Sequence, residues 1–224
     1  VGSLIQRQRY RRRLERVERQ REMERERARI AQDLHDDLGT SLTQISLLSA
    51  LANREQTPPV EAKELVQQVR TRANEIVAAL DEIVWAVNPK NDSLLELINY
   101  LGYFAEEFFR PTALRCRLDI PDFLPDGQLS AETRHHLFLA FKEALNNVAR
   151  HSGATQVCVR VAARERTLTI FVEDNGHGWN PSDGTQRRGN GLANMRQRLE
   201  QIGGRAEWQS VAGQGTVVTF HLPL

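Results

Sequence analysis

The chain has two cysteines, Cys116 and Cys158, and nothing in their spacing suggests a metal-ligand set. Both fall in stretches expected to be strands, so they read as small core residues of a reducing compartment, and no disulfide framework is implied. No run of about 18 apolar residues occurs, so no segment is expected to cross a bilayer as a helix, and no secretory-signal pattern opens the chain. Between Leu4 and Asn53 there is no proline and a single glycine, Gly39. Without the two usual breakers, that stretch is expected to form one long helix. Leu14 and Val17 share a heptad spacing within it, but Met23 is out of step, so a coiled coil before residue 28 is only weakly indicated.

Charge is nearly balanced, 30 Lys+Arg against 29 Asp+Glu, yet residues 1–30 carry eleven Arg and only five Glu. Such an excess suits nucleic acid, anionic lipid, or a helix leaving a membrane on its cytoplasmic side. The two residue types interleave, which equally suits a solvated helix with i,i+4 ion pairs. With 224 residues, 40% of them hydrophobic, there is room for a compact domain plus an extended segment, and two domains are expected.

What is present begins with Arg29-Ile30-Ala31-Gln32-Asp33-Leu34-His35-Asp36-Asp37-Leu38-Gly39. At about 100° per residue, Ile30, Leu34, Leu38, Leu42, Ile45 and Leu48 form one apolar stripe. His35 lies at its edge with Asp36 beside it. Gly39, one turn on, leaves room beside the ring. On these residues alone His35 is equally an ordinary surface histidine. Gln56-Thr57-Pro58-Pro59 then breaks the helix and supplies a cap and a first-turn proline. A second helix follows through Leu65, Val69, Ala73, Ile76, Leu80, Ile83 and Val87, ending at Asn88-Pro89. A hairpin with two apolar stripes cannot bury both by itself, so a four-helix bundle across a twofold axis is expected.

Ser93-Leu94-Leu95-Glu96 is a capping box opening a helix to about Arg110. Beyond it the pattern predicts strand Arg115–Ile120, helix Ala131–Arg150, strands Gln156–Ala163 and Thr167–Glu173, helix Leu192–Ile202, and strands Arg205–Ser210 and Thr216–Leu222. Several strands follow one another directly, so a mostly antiparallel or mixed sheet backed by helices is expected, an α+β sandwich.

In the helix ending near residue 150, Glu143, Asn147 and His151 recur every four residues and would share a face. A carboxylate and an amide oxygen there could hold a hard cation, although a plain polar face has the same spacing. Glu173-Asp174-Asn175-Gly176-His177-Gly178 places an acid at a strand end before two glycines. Arg188-Gly189-Asn190-Gly191 opens a helix whose free N–H groups favour an anion, and Gly213-Gln214-Gly215-Thr216 leads into the last strand. Singly each is a turn; their order within one region is the signal.

That ordered set resembles the ATP-binding domain of the superfamily of histidine kinases, gyrase, chaperone and mismatch-repair ATPases, with its Bergerat nucleotide fold, over residues 93–224. EALNNVARH (Glu143 to His151) is similar to its asparagine box, EDNGHG (Glu173 to Gly178) to its first glycine box, GNGLANMRQRLEQIGG (Gly189 to Gly204) to its second, and GQGT (Gly213 to Thr216) to its closing loop. With RIAQDLHDDLG ahead, the chain resembles nitrate-sensor-type sensor histidine kinases, whose partners are response regulators with helix-turn-helix outputs. The resemblance implies ATP and Mg²⁺ as cofactors and a histidine phosphoacceptor. His35 would accept the phosphoryl group, Asp36 would be its adjacent base, Glu143 the polar neighbour of Asn147, and Asn147 the Mg²⁺ ligand. Asp174 would read the adenine amine. Gly176, Gly178, Gly189, Gly191 and Gly215 would frame base and phosphates, Thr216 would close the base pocket, and His151 would either join the site or cap its helix.

The resemblance further implies three parts: an Arg-rich juxtamembrane helix at 1–27, a dimerising phosphotransfer hairpin at 28–90, and an ATP-binding domain at 93–224. The expected partners are a second copy of the chain and a receiver domain, with no direct nucleic-acid contact. The expected setting is the cytoplasmic part of a bacterial inner-membrane sensor anchored upstream of residue 1. One departure stands out. The family usually carries Gln or His five residues after the phosphohistidine, where it orients water for dephosphorylating the regulator; here that residue is Thr40. An ATPase of the same fold that works by dimer closure without phosphohistidine is the alternative. A dimeric scaffold or basic nucleic-acid binder is a further rival, against which the ordered glycine boxes argue.

Overall fold

The computed structural model describes residues 10, 18, 21, 24, 25, 28, 38–54, 58–164, 166–179 and 191–224, without the side chains of 75, 78, 79, 81–83 and 87. The chain divides into two compact units, Val1–Pro89 and Lys90–Leu224. The sequence expectations for His35, Asp36, Leu34 and Gly189 lie outside the described residues, as does the continuity of the long amino-terminal helix; Tyr10, Glu18, Arg21, Glu24, Arg25 and Ala28 are helical.

In the first unit, helix α1 covers residues 38–52 and helix α2 covers Pro59–Val87. The N-cap of α2 is Pro58, which offers no side-chain acceptor, and the first turn is closed by the backbone, Ala62 N donating to Pro58 O at 2.9 Å. The alternation expected from sequence is visible in the burial. Leu38, Ile45 and Leu48 on α1, and Leu65, Val69, Ala73 and Ile76 on α2, are half-buried, while most polar residues between them, Ser41 excepted, are exposed. A second set is left uncovered. Leu42 and Leu47 on α1, and Val66, Val77 and Val84 on α2, are each more than half exposed. At about 100° per residue, Val66, Val77, Leu80 and Val84 fall within roughly 60° of one another, so they form a seam rather than scattered apolar residues.

The second unit is a five-stranded mixed sheet in the order β1-β2-β3-β5-β4, with β1 Arg115–Asp119, β2 Gln156–Arg164, β3 Thr167–Asp174, β4 Arg205–Val211 and β5 Gly215–Pro223. Only β1 and β2 run parallel. Helices α3 (Leu94–Phe109), α4 (Ala131–Asn147) and α5 (Gly191–Gln201) pack on the sheet and on one another. Ser93 caps α3 by accepting from Glu96 N at 3.1 Å, and Ser130 caps α4 by accepting from Thr133 N at 3.0 Å. Leu94, Leu97, Ile98, Leu101, Ala105 and Phe109 give α3 its three-and-four buried stripe. Alternate residues Val157, Val159 and Val161, Leu168, Ile170 and Val172, and Val218, Phe220 and Leu222 face it from the sheet. The aromatic rings of Tyr100, Phe104 and Phe138 pack between α3 and α4 with centroids 4.8 to 6.5 Å apart.

Apart from element ends that shift by a residue or so, two details differ from the sequence expectation. The helix carrying Glu143 keeps α geometry only to Asn147; Val148–Ser152 forms a wider π-type turn closed by left-handed Gly153. His151 falls in that turn rather than on the α-helix, and its side chain is exposed. The cysteines also part company. Cys116, opposite Val157, is on the helix-covered face, where burial, Glu106 and Cys158 push its thiol up to about 11. Cys158, opposite Glu173, shares the open face of the sheet, so it is not a core residue. On that face Arg160 donates to Glu173 at 2.8 Å and lies 5.3 Å from the Phe171 ring.

Candidate active site

The alternation that buries Leu168, Ile170 and Val172 continues for one more step and delivers a carboxylate to the same face. Asp174 ends β3 and is only 6% exposed. A buried carboxylate without compensation costs several kcal/mol. Here its Oδ1 accepts from Gly176 N at 2.8 Å. Burial raises its pKa above the ordinary carboxylate value; the backbone N–H groups of Gly176 and Thr216, and His177 nearby, work in the opposite direction. The other carboxylate oxygen is an acceptor held at a strand end.

Three segments converge on that strand end. Thr216 is the cross-strand partner of Asp174, so their side chains emerge on one face. Gly215 precedes it with φ +85°, and a Cβ there would collide with the backbone carbonyl of Asp174. Gly178, at φ +57°, lies against the carbonyls of Val211 and Gly215. Only glycine combines those dihedrals with that closeness. A Cβ on Gly176 would meet the Ser152 carbonyl, and His177 N donates to the same carbonyl at 2.8 Å, which ties the exit of α4 to the exit of β3. Gly213 N donates to His177 O at 2.6 Å and closes the third side.

Glu143 and Asn147 sit one turn apart on α4, both half-buried. The Glu143 carboxylate lies against the α-carbon of Gly191, the first residue of α5, so α4 and the amino end of α5 meet at this acid. Of the residues expected from sequence, the structure thus gathers Asp174, Gly176, Gly178, Gly215 and Thr216 in one cluster and brings Glu143 to Gly191. Asn147 lies on the turn after Glu143, and His151 is exposed beyond it. Thr40 belongs to the first unit, exposed on α1.

Several participants carry no sequence signal of their own. Asn175 Oδ1 accepts from Thr155 N and Gln156 N, both at 2.9 Å, and its Nδ2 donates to Thr155 Oγ1 at 3.0 Å, pinning the loop after α4 to the turn after β3. Ser152 Oγ donates to Val148 O at 2.7 Å and accepts from Ala154 N at 3.0 Å inside the π-type turn. Ser210 Oγ accepts from Trp179 N at 2.8 Å and lies 2.9 Å from Thr216 Oγ1. These contacts run across the sheet or to backbone atoms, and only the register reveals them.

A strand end with a recessed acceptor, close-approach glycines and a helix amino terminus suits a flat amine-bearing base followed by phosphates. Comparison with known proteins agrees with that chemistry. Residues 132–224 match the family of Histidine kinase-, DNA gyrase B-, and HSP90-like ATPases, and residues 26–92 match a Histidine kinase family. The sensor histidine kinase LiaS of Bacillus subtilis is 31% identical over 200 residues, covering 89% of this chain and 54% of LiaS. The nitrate/nitrite sensor protein NarX of Escherichia coli is 30% identical over 200 residues, covering 87% of this chain and 32% of NarX. The histidine kinase domain of a blue-light activated kinase from Erythrobacter litoralis shares the fold, with a TM-score of 0.54 at 17% identity, covering 83% of this chain and 96% of that one. The chain spans about half the length of LiaS and a third of NarX. Carrying a histidine-kinase helical region followed by an ATPase domain of this superfamily, the chain belongs to the two-component sensor histidine kinases.

Proposed function

We propose that this chain transfers the γ-phosphoryl group of ATP to His35 and passes it to an aspartate of a response-regulator receiver domain. The observation that carries the reading is the cluster of Asp174, Thr216 and the glycines at the end of β3, in a chain whose amino-terminal half carries the adjacent pair His35-Asp36 in its sequence. Asp174 accepts from the adenine amine, Thr216 closes the base pocket, and Gly176, Gly178, Gly189, Gly191 and Gly215 let backbone approach base and phosphates. Asn147 would hold Mg²⁺, with Glu143 one turn before it on α4. Among the described residues no group of three or more His, Cys, Asp or Glu could hold a metal. Magnesium suits such a site because it keeps most of its waters and takes the rest of its oxygens from phosphate. When bound it neutralises charge on the phosphates.

His35 attacks as a neutral imidazole, and Asp36 holds the other ring N–H, fixing the tautomer and stabilising the positive charge that develops. Phosphoryl transfer asks the protein for positioning and charge compensation more than for covalent help. The domains proposed are a helical lead at 1–27, the phosphotransfer hairpin at 28–90 and the ATP-binding domain at 93–224. The hairpin dimerises, because the exposed seam of Val66, Val77, Leu80 and Val84 on α2, with the exposed Leu42 on α1, requires a second copy to cover it. No helix among the described residues is long and apolar enough to cross a membrane. The full-length protein is proposed to be anchored upstream of residue 1, with the present chain in the cytoplasm and the Arg-rich stretch next to the membrane.

The test is incubation with Mg²⁺ and γ-labelled ATP, followed by a purified receiver domain. Label should first enter this chain and then leave it for the receiver. Release of free phosphate with no labelled protein at any time would favour the alternative, an ATPase that uses nucleotide only to change dimer conformation.

A further inference from the structure

We propose that Ser210, through Thr216, makes the base pocket discriminate a 6-amino purine from a 6-oxo purine. The inference rests on the nucleotide-site reading above and adds the residue that sets its selectivity. Ser210 on β4 has one hydroxyl proton and meets three groups. Trp179 N–H, 2.8 Å away, can only donate, so it takes a lone pair of the serine oxygen. The Gly215 carbonyl, 3.2 Å away, can only accept, so it takes the serine proton. Thr216 Oγ1 lies 2.9 Å from the same serine oxygen, which has only a lone pair left to offer. With the serine proton on the Gly215 carbonyl, the Thr216 proton points at Ser210, and Thr216 then offers lone pairs alone on its other side.

Asp174 is the strand partner of Thr216 and is also an acceptor there. Two acceptors side by side welcome an exocyclic amine and repel a carbonyl oxygen. For Thr216 to turn its hydroxyl over to an oxo group, Ser210 must give up its hydrogen bond to the Gly215 carbonyl, so the arrangement favours an amine by about the value of that bond. Removing the serine oxygen removes that constraint. Thr216 would then be free to rotate and donate. Ser210 acts at one remove, as a positioning residue, and its contribution is selectivity rather than gross affinity.

The experiment measures binding of ATP and inosine triphosphate to the full chain with Mg²⁺, for wild type, Ser210→Ala, Ser210→Thr and the Ser210→Ala/Thr216→Val double variant, with thermal midpoints recorded for each. The expected result is a fall of about tenfold in the ATP-to-inosine preference of Ser210→Ala, the value of one redirected hydrogen bond. Most of that fall should come from tighter inosine triphosphate binding. Ser210→Thr should restore the preference, and Thr216→Val in the double variant should cancel the gain for inosine triphosphate. A preference in Ser210→Ala within twofold of wild type would overturn the proposal, as would equal weakening of both nucleotides, which marks a merely structural role. A double variant that keeps the full gain would overturn it too. Wild type binding neither nucleotide would instead remove the nucleotide-site reading on which it stands.

Discussion

Asp92→Ala should destabilise the ATP-binding unit more than any ordinary surface substitution. Arg134, in the first turns of α4, is completely buried, and its Nη1 reaches both Leu129 O and Asp92 Oδ1 at 2.7 Å. The segment carrying Asp92 is tied down beside it, with Leu129 N donating to Asp92 O at 2.7 Å and Leu94 N to Gly127 O at 2.9 Å. Removing the carboxylate takes from the buried guanidinium the ion-pair partner at 2.7 Å. Breaking a buried ion pair from one side costs about 3–5 kcal/mol, and because the Asp92 side chain is 23% exposed the lower figure applies, about 3 kcal/mol. For a unit of this size that corresponds to a thermal midpoint lower by roughly 10 °C. Arg134→Met added to Asp92→Ala should recover at least about half the loss, since the charge disappears and the methionine stem still fills the space. Chemical denaturation of the four members of this cycle gives each value. A loss below about 1 kcal/mol in Asp92→Ala, or a double variant less stable than the single one, would refute the reasoning.

Asp174→Asn should abolish nucleotide binding while stabilising the fold at neutral pH. A raised carboxylate pKa means the folded state favours the protonated form, so Asp174 contributes stability below about 3.8 and loses it as pH rises through the folded value. The stabilisation seen in Asp174→Asn should therefore grow from acid toward neutral pH in thermal scans; a gain confined to acid pH would contradict it. Leu42→Asp, at an exposed apolar position of α1, should convert the dimer to monomers in light scattering at micromolar concentration, and a monomeric wild type would remove the four-helix bundle. Thr40→Gln should speed dephosphorylation of the phosphorylated receiver, because a glutamine amide reaches farther from the helix axis than a β-branched hydroxyl, and misplacing the water by about 1 Å can cost 100-fold. Autophosphorylation should stay nearly unchanged, and fast dephosphorylation by wild type that ignores Thr40→Gln would exclude a role for this position.

Element order and type were readable from periodicity because each helix and strand of the second unit buries a continuous face. The strand expected over Thr167–Glu173 extends to Asp174, and that single extra residue explains the site, since period-two alternation carries the acid onto the buried side. Caps at Ser93 and the turn glycines were legible for the same reason, as local rules with local partners. Contacts between distant segments were not. Asn175 reaches back to Thr155 and Gln156, and Ser210 reaches Trp179, through hydrogen bonds that depend on strand register, which no local pattern encodes. The π-type turn after Asn147 was hidden because an i,i+4 polar ladder looks the same whether or not the last turn widens. Cys158 was assigned to the core on its strand alone; its pairing opposite Glu173 decides the face.

The central claim is that His35 carries the phosphoryl group, and mapping the label tests it most directly. Wild type and His35→Gln, each incubated with Mg²⁺ and γ-labelled ATP, are compared for total incorporation and for stability of the label in acid and in base. The account predicts an acid-labile, base-stable bond on the peptide containing His35, and no label in His35→Gln. Undiminished label in His35→Gln, or an acid-stable bond on another residue, would contradict it.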